Sequence, residues 1–170
     1  MITSTANQKI KRILKLQKKA KARNEEGIFI VEGIRMTKEA PEDRIKELYI
    51  SETFLQKYPD LPEHLKKKAE MVSDPVFAHM SDTKTPQGIL GVIRRMSWTM
   101  DELLHGEDGR APFLMVLDHL QDPGNLGTIF RTAEGAGVTG VILGSNCADL
   151  YQPKVIRSTM GSIYRMRAVV

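Results

Sequence analysis

Between Leu117 and Ala133 the sequence gathers side chains able to hold a hydroxyl or move a proton: Asp118, His119, Asp122, Asn125 and Arg131. Asp118, Asp122 and Asn125 can orient a sugar hydroxyl or simply make turn hydrogen bonds. His119 has the chemistry of an acid or base, with no carboxylate paired to it at a fixed spacing. Arg131 is the first candidate for a functional cation. It follows Asn125 by six positions, about one and two-thirds helical turns, so both can look toward one loop mouth without sharing a stripe. Taken singly, each also reads as a turn residue or a surface arginine. His64, His79 and His105 are scattered and fit no metal pattern. Gly124 and Gly127 make neither a dinucleotide fingerprint nor a phosphate loop with a following Lys-Ser/Thr, which argues against nicotinamide or nucleoside-triphosphate chemistry.

These residues need elements to position them. The apolar run 113–117 predicts a strand of the kind covered on both faces, followed by a polar loop over 118–124. Asn125 is read as a helix N-cap, with Leu126, Ile129, Phe130 and Ala133 as the apolar face and Gly135 and Gly137 as the stop. A strand over 138–143 completes a βαβ unit, whose ligands collect at the strands' carboxyl ends, in loops 118–125 and 144–152. A helix from Pro153 to about Gly161 and a strand over 165–170 follow. Upstream, a basic helix leads into strands over 28–32, 45–51 and 88–93. Helices are predicted over 34–40, 63–70 (closed by Met71-Val72) and 75–80, with a short one at 100–104. Strands and helices alternate, which gives a small α/β layer domain.

The chain has 170 residues and a net charge of +4, but that charge is uneven. Residues 1–24 hold Lys9, Lys11, Arg12, Lys15, Lys18, Lys19, Lys21 and Arg23 and no acid, a local +8 that leaves the rest at −4. A basic arm on a mildly acidic body suits polyanion binding, because each cation set on a phosphate releases counterions. A solvated helix face explains the charge about as well, with Ile10, Ile13, Leu14 and Gln17 as its packed stripe. A mitochondrial presequence fits less well, since the arm is rich in Lys rather than Arg. One cysteine, Cys147, leaves no intramolecular disulfide and no Cys-based zinc site, and points to a cytoplasmic setting. No apolar run approaches the roughly 18 residues of a membrane span, and the first 27 residues have no signal-peptide core.

Read as one run, residues 117–133 resemble the first motif of the SpoU/TrmH-type RNA 2′-O-ribose methyltransferases, Asp-Pro-x-Asn-x-Gly followed by Arg-Thr-Ala. Residues 154–162 resemble the second motif. Val31-Glu32-Gly33 and the run from Ser81 to Gly88 resemble that family's substrate-binding domain.

The resemblance implies an RNA substrate-binding domain over 1–95, a linker over 96–112 and a partial methyltransferase domain over 113–170. The latter would be a parallel-sheet, Rossmann-like fold of the α/β-knot type. S-adenosyl-L-methionine is the implied cofactor, rRNA or tRNA the implied substrate, and a homodimer the implied assembly at full family length. The resemblance gives Asn125 and Arg131 catalytic roles. A guanidinium is a poor base, so the role favoured for Arg131 is phosphate anchoring and stabilisation of the developing alkoxide, with Asn125 bracing Arg131 or the ribose. Arg157, Thr159 and Ser162 become substrate contacts, and Lys9, Lys11, Arg12, Lys15, Lys18 and Lys19 the RNA-binding arm.

The third motif, which completes the cofactor pocket and the knot in that family, has no counterpart before Val170. Cofactor contacts are therefore expected mostly beyond it, and the 170-residue chain is expected to be inactive. Arg167 stands where the family commonly has proline. The competing class is a non-catalytic RNA-binding module.

Overall fold

Apolar residues at helical spacing fold the basic arm. Helix α1 (Gln8–Lys18) opens on Asn7, whose side-chain oxygen accepts the Lys9 N–H, and buries Ile10, Ile13, Leu16 and Gln17. Leu16 thus takes the place in the stripe that the sequence reading gave to Leu14, which is only partly buried. Helix α2 (Ala20–Glu26) follows at once. Arg23, counted with the arm's free cations, is 3% exposed, and its Nη1 donates to the Leu16 and Gln17 carbonyls at 2.5 and 3.0 Å. It serves the carbonyl-rich end of α1, where a cation is favoured.

This computed structural model describes residues 1–105 and 111–170, and the chain forms two units: Met1–Arg95 with Tyr151–Pro153, and Met96–Leu150 with Lys154–Val170. In the first, β1 (Ile28–Glu32) leads to α3 (Ile34–Glu39), β2 (Ile45–Ser51), α4 (Glu52–Lys57), α5 (Glu63–Lys68), β3 (Ala69–Val72), α6 (Asp74–Met80) and β4 (Ile89–Arg94). The sheet order is β1-β4-β2-β3, antiparallel except for the β2–β3 pair.

Alternation along the strands buries both faces. Ile28, Ile30, Tyr49, Leu90 and Val92 join Ile10, Ile13 and Leu16 of α1 and Val76, Phe77 and Met80 of α6 in one core. The alternate residues Phe29, Val31, Leu48, Ile50 and Ile93 are buried as well.

Two differences from the sequence reading have local causes. The helix expected over 63–70 stops at Lys68, because residues 69–72 pair in parallel with β2, from Leu48 against Ala69 to Ser51 against Val72. Helix α4 was not expected; Ser51 starts it by accepting the Phe54 N–H at 3.2 Å. Ahead of α1, Ile2 extends the β3 edge: its N–H donates to the Met71 carbonyl at 2.7 Å, and its carbonyl accepts the Ser73 N–H at 3.0 Å.

The second unit carries α7 (Met100–His105), β5 (Leu114–Leu117), α8 (Pro123–Gly135), β6 (Gly140–Leu143), α9 (Pro153–Thr159) and β7 (Ala168–Val169). Its sheet is parallel throughout, in the order β5-β6-β7. Residues 96–105, read from sequence as linker, pack into this unit: Leu103 is 1% exposed, and Arg167 lies 4.9 Å over the Trp98 ring. The part of that linker over 106–110 lies outside the described residues. β5 is not covered on both faces as expected, for Phe113 beside it is 57% exposed and Val116 within it 68%. The apolar run fixes a strand but not how many of its faces are covered. Among the described residues no helix is long and apolar enough to cross a membrane.

Candidate active site

The carboxyl ends of β5 and β6 bring two loops together, as parallel strands with adjacent ends require. The Gly144 N–H and the Cys147 Sγ both donate to the Leu117 carbonyl, at 2.8 and 3.3 Å, and the Ala148 N–H donates to the Leu120 carbonyl at 2.8 Å. His119 holds a left-handed backbone, φ 53°, between these loops. Its Nδ1 lies 2.8 Å from Asp118 Oδ1, and its Nε2 lies 3.1 Å from Asn146 Nδ2. That network assigns the Nδ1–H donor to Asp118 and leaves the Nε2 lone pair facing an amide donor. Both Asp118 and His119 are exposed. The sequence offered His119 without a partner; Asp118 is its immediate neighbour, and Asn146 comes from the other loop. No group of residues suited to holding a metal ion is found among the described residues.

Helix α8 starts on Asp122, not on Asn125 as the sequence reading had it. Asp122 Oδ1 accepts the Asn125 N–H at 2.7 Å, and Pro123 occupies the first turn. The Asp-Pro pair carried that signal, since proline is pre-organised for the first helical position and donates no N–H. Asn125 is thus inside the first turn with its side chain exposed. Leu126, Gly127, Phe130 and Ala133 form the buried face, and Asn125, Thr128, Arg131 and Thr132 the solvent face. Arg131 is exposed and has no hydrogen-bond or ion-pair partner among the described residues.

Gly127 fixes α8 to α9. A Cβ there would sit 2.3 Å from Ser158 Cβ, 2.7 Å from the Val155 carbonyl oxygen and 2.9 Å from the Ser158 carbonyl carbon, so the helices meet at a distance that only glycine permits. Residues from both sequence motifs are thereby held in one rigid pair of helices.

The second-motif positions are largely internal. Thr159 is fully buried, its hydroxyl donating to the Ile156 carbonyl at 2.7 Å, and Ser162 is 1% exposed, its hydroxyl donating to Glu134 Oε2 at 2.5 Å. Glu134 also accepts from Arg165 through Nε and, at 3.2 Å, through Nη2. Hydrogen bonding from the Arg165 guanidinium, followed by that from the Ser162 hydroxyl, holds the Glu134 carboxyl below the usual glutamate range. Sequence reasoning missed Glu134, whose partners lie about thirty positions away. Arg157 is half-buried on α9.

The basic arm is only partly free. Lys9 pairs with Glu70 at 2.5 Å, and Arg12 pairs with Glu26 and Glu47 at 2.5 and 3.0 Å. These three ion pairs within the first unit compete with the phosphate roles expected of both residues. Lys11, Lys18 and Lys19 are exposed with no ion pair among the described residues, and Lys15 is exposed within the field of Glu26.

Comparison with known proteins now bears on this geometry. Residues 7–91 match the MRM3-like substrate binding domain, and residues 112–170 match the SpoU rRNA Methylase family. The chain is 35% identical over 144 residues to human mitochondrial rRNA methyltransferase 3, covering 82% of this chain and 29% of that protein. It is 33% identical over 172 residues to a 23S rRNA guanosine 2′-O-methyltransferase of Bacillus subtilis, covering 99% of this chain and 64% of that one. The crystal structure of an rRNA methyltransferase from Sinorhizobium meliloti superimposes with a TM-score of 0.82 at 28% identity, over 99% of this chain and 63% of that one. The AdoMet-bound crystal structure of an rRNA methyltransferase from the same organism gives a TM-score of 0.81 at 27% identity.

The fold is accordingly the α/β fold of the methyltransferases it superimposes on. The chain belongs to the SpoU methylase family. It spans 29% to 64% of the length of these curated relatives.

Proposed function

We propose that this chain serves the S-adenosylmethionine-dependent 2′-O-methylation of RNA, with rRNA the favoured substrate over tRNA. The observation that carries the reading is Arg131: an exposed, unpaired guanidinium on a helix held rigidly by Gly127, in the motif the family shares. A group that activates an acceptor must be fixed in place yet uncommitted to any partner of its own. The Arg131 fork anchors an RNA phosphate and stabilises negative charge growing on the ribose oxygen. Asn125, on the same solvent face but without a bond to Arg131, orients the ribose. Arg157, Thr159 and Ser162 are the second-motif positions proposed to serve the substrate. The internal hydrogen bonds of the last two favour a role in holding α9 and the segment after it rather than direct contact.

In charge the loop after β5 would suit the methyl donor, since its Asp118 and Asp122 carboxylates favour a cationic sulfonium. Loops 118–122 and 144–150 would supply the share of its contacts that falls before Val170, and when bound it supplies an electrophilic methyl group. Lys11, Lys15, Lys18 and Lys19 make the phosphate contacts of the arm, with Lys9 and Arg12 contributing only as their glutamate pairs yield. A homodimer, a cytoplasmic setting and a part in rRNA processing complete the proposal, supported by family membership and the single cysteine.

Two measurements test it. Tritiated-methyl transfer to rRNA, in a chain extended to the length of its relatives, is expected to fall about a hundred- to thousand-fold in Arg131→Ala, with cofactor affinity by calorimetry unchanged. A variant that keeps most of its kcat moves the catalytic role elsewhere, His119 first. Changing Lys11, Lys15 and Lys18 together to Glu is expected to weaken RNA binding and flatten its salt dependence. Unchanged affinity and slope in filter binding would remove the arm from the interface.

A further inference from the structure

A cleft of about 490 Å³ opens in the first unit, where the carboxyl ends of the parallel strands β2 and β3 meet the start of β4. That volume lies in the range of sites for single small ligands and is far too small for a duplex. Its floor is built to a close tolerance. Gly88 has φ +91°, and a Cβ there would lie 2.5 Å from Ser51 Oγ and 2.7 Å from Phe54 Cβ.

One wall is a tethered loop. Glu32 Oε1 accepts the hydroxyls of Ser81 and Thr83 at 2.6 and 2.7 Å, and its Oε2 accepts the Asp82 N–H at 3.2 Å. At the loop's other end Gln87 Oε1 accepts the Ile34 N–H at 3.0 Å. The residues that drew attention in sequence around Glu32 and from Ser81 to Gly88 therefore clamp this wall in place.

The functional groups left facing the cleft are specific. Asp74 is committed, accepting the Thr53 N–H and hydroxyl at 3.2 and 2.7 Å. With its oxygen fixed on Ile34, the Gln87 amide keeps its Nε2 donors, which have no acceptor among the described residues. The half-buried Tyr58 ring rests on Phe54, with centroids 4.7 Å apart, and its hydroxyl has no hydrogen-bond partner among the described residues. Lys57 Nζ lies over the Tyr58 ring, 5.6 Å from its centroid, with no carboxylate paired to it among the described residues. An aromatic ring, a cation over it with no carboxylate partner among the described residues and a fixed amide donor within one small cleft are the groups that recognise a splayed-out nucleotide.

We propose that this cleft receives one unstacked nucleotide of a single-stranded RNA segment, its base replacing Lys57 Nζ over the Tyr58 ring, its phosphate at the displaced Nζ and an acceptor at Gln87 Nε2. The assignment rests on the RNA-binding reading above and adds a site that reads strandedness.

The test is fluorescence anisotropy of the 170-residue chain with a labelled single-stranded oligoadenylate and with a duplex RNA of equal length. Tyr58→Ala is expected to weaken single-strand binding about tenfold and leave duplex binding as it was, while Tyr58→Phe retains wild-type affinity for both. Lys57→Ala is expected to lower the single-strand salt slope by about 0.7, one phosphate's worth. Wild-type affinity and slope in both Tyr58→Ala and Lys57→Ala, alongside normal binding by the wild-type chain, would overturn the cleft and leave the arm standing. No binding by the wild-type chain to either RNA would overturn both readings. If Tyr58→Ala loses both RNAs and also melts earlier, the exposed Lys57→Ala decides, and an unchanged slope there rejects the proposal.

Discussion

Strands β4 and β5 make the contrast between the two units concrete. β4 is buried from Ile89 to Ile93 and pairs on both sides, whereas β5 pairs on one side and leaves Val116 68% exposed. The first unit draws α1 and α6 onto one face of its sheet and buries the other face too. The second spends its tightest packing on a single helix contact, at Gly127, and keeps Asn125, Arg131, Asp118 and His119 in solvent. Stability is concentrated where burial is two-sided, and chemistry where side chains remain exposed. Groups that must meet a ligand cannot also fill a core, and packed cores lose the most when cut.

The contrast breaks most directly with Leu16→Ala, which empties a fully buried site shared by α1 and the sheet. It is expected to cost about 2–5 kcal/mol, read as loss of hydrogen-exchange protection throughout the first unit. Val116→Ala, its counterpart on β5, is expected to stay within about 0.5 kcal/mol. Equal costs at the two sites would mean that Val116 is covered in solution.

Gly127→Ala sharpens the comparison from the other side. Overpacking of this kind is expected to cost about 1–3 kcal/mol, confined to protection of α8 and α9. Trimming Ser158 to glycine should not rescue it, because two of the three close atoms are backbone.

The smallest effect is one of pH. The Glu134 carboxyl is held below its ordinary value in the fold, chiefly by Arg165, so its contribution is present above the unfolded glutamate pKa of about 4.3 and is lost as pH falls through the lowered value. With Glu134 29% exposed, solvent screens the pair, and the loss should be well under about 1 kcal/mol. Glu134→Gln should flatten the acid limb of the second unit's stability curve, and an acid limb identical to wild type would exclude Glu134 as its source.

Local signals carried much of the architecture. The apolar run, Asp-Pro turn and periodic helix from residue 113 to 143 specify β5, α8 and β6, and Pro153 marks the start of α9. The Asn125 cap was a misreading of a legible signal, since the Pro123 beside Asp122 places the cap one residue before the proline. Other features had no local trace. Nothing near Lys9 or Arg12 announces Glu70 or Glu47, which reach the arm only once β2 and β3 are in register. The cleft at Tyr58 was invisible for the same reason: its walls come from three stretches that the sheet assembles. Among the proposed site residues, type and spacing singled out Arg131. The commitments of Thr159 and Ser162 depend on packing that spacing alone does not encode.

The short pairing made by Ile2 has a consequence for how molecules meet one another. An outermost strand is a template, and its free N–H and C=O groups will accept any extended peptide in register. By taking the Met71 carbonyl and the Ser73 N–H, Ile2 fills the slot that a neighbour's strand would need. That stretch of the sheet is closed to growth by strand addition. The protection is reversible, because a segment held by two main-chain hydrogen bonds and one buried side chain can peel away while the rest of the unit stays folded. Self-association through this edge would then be governed by release of the Ile2 pairing, which also withdraws the Ile2 side chain from the core.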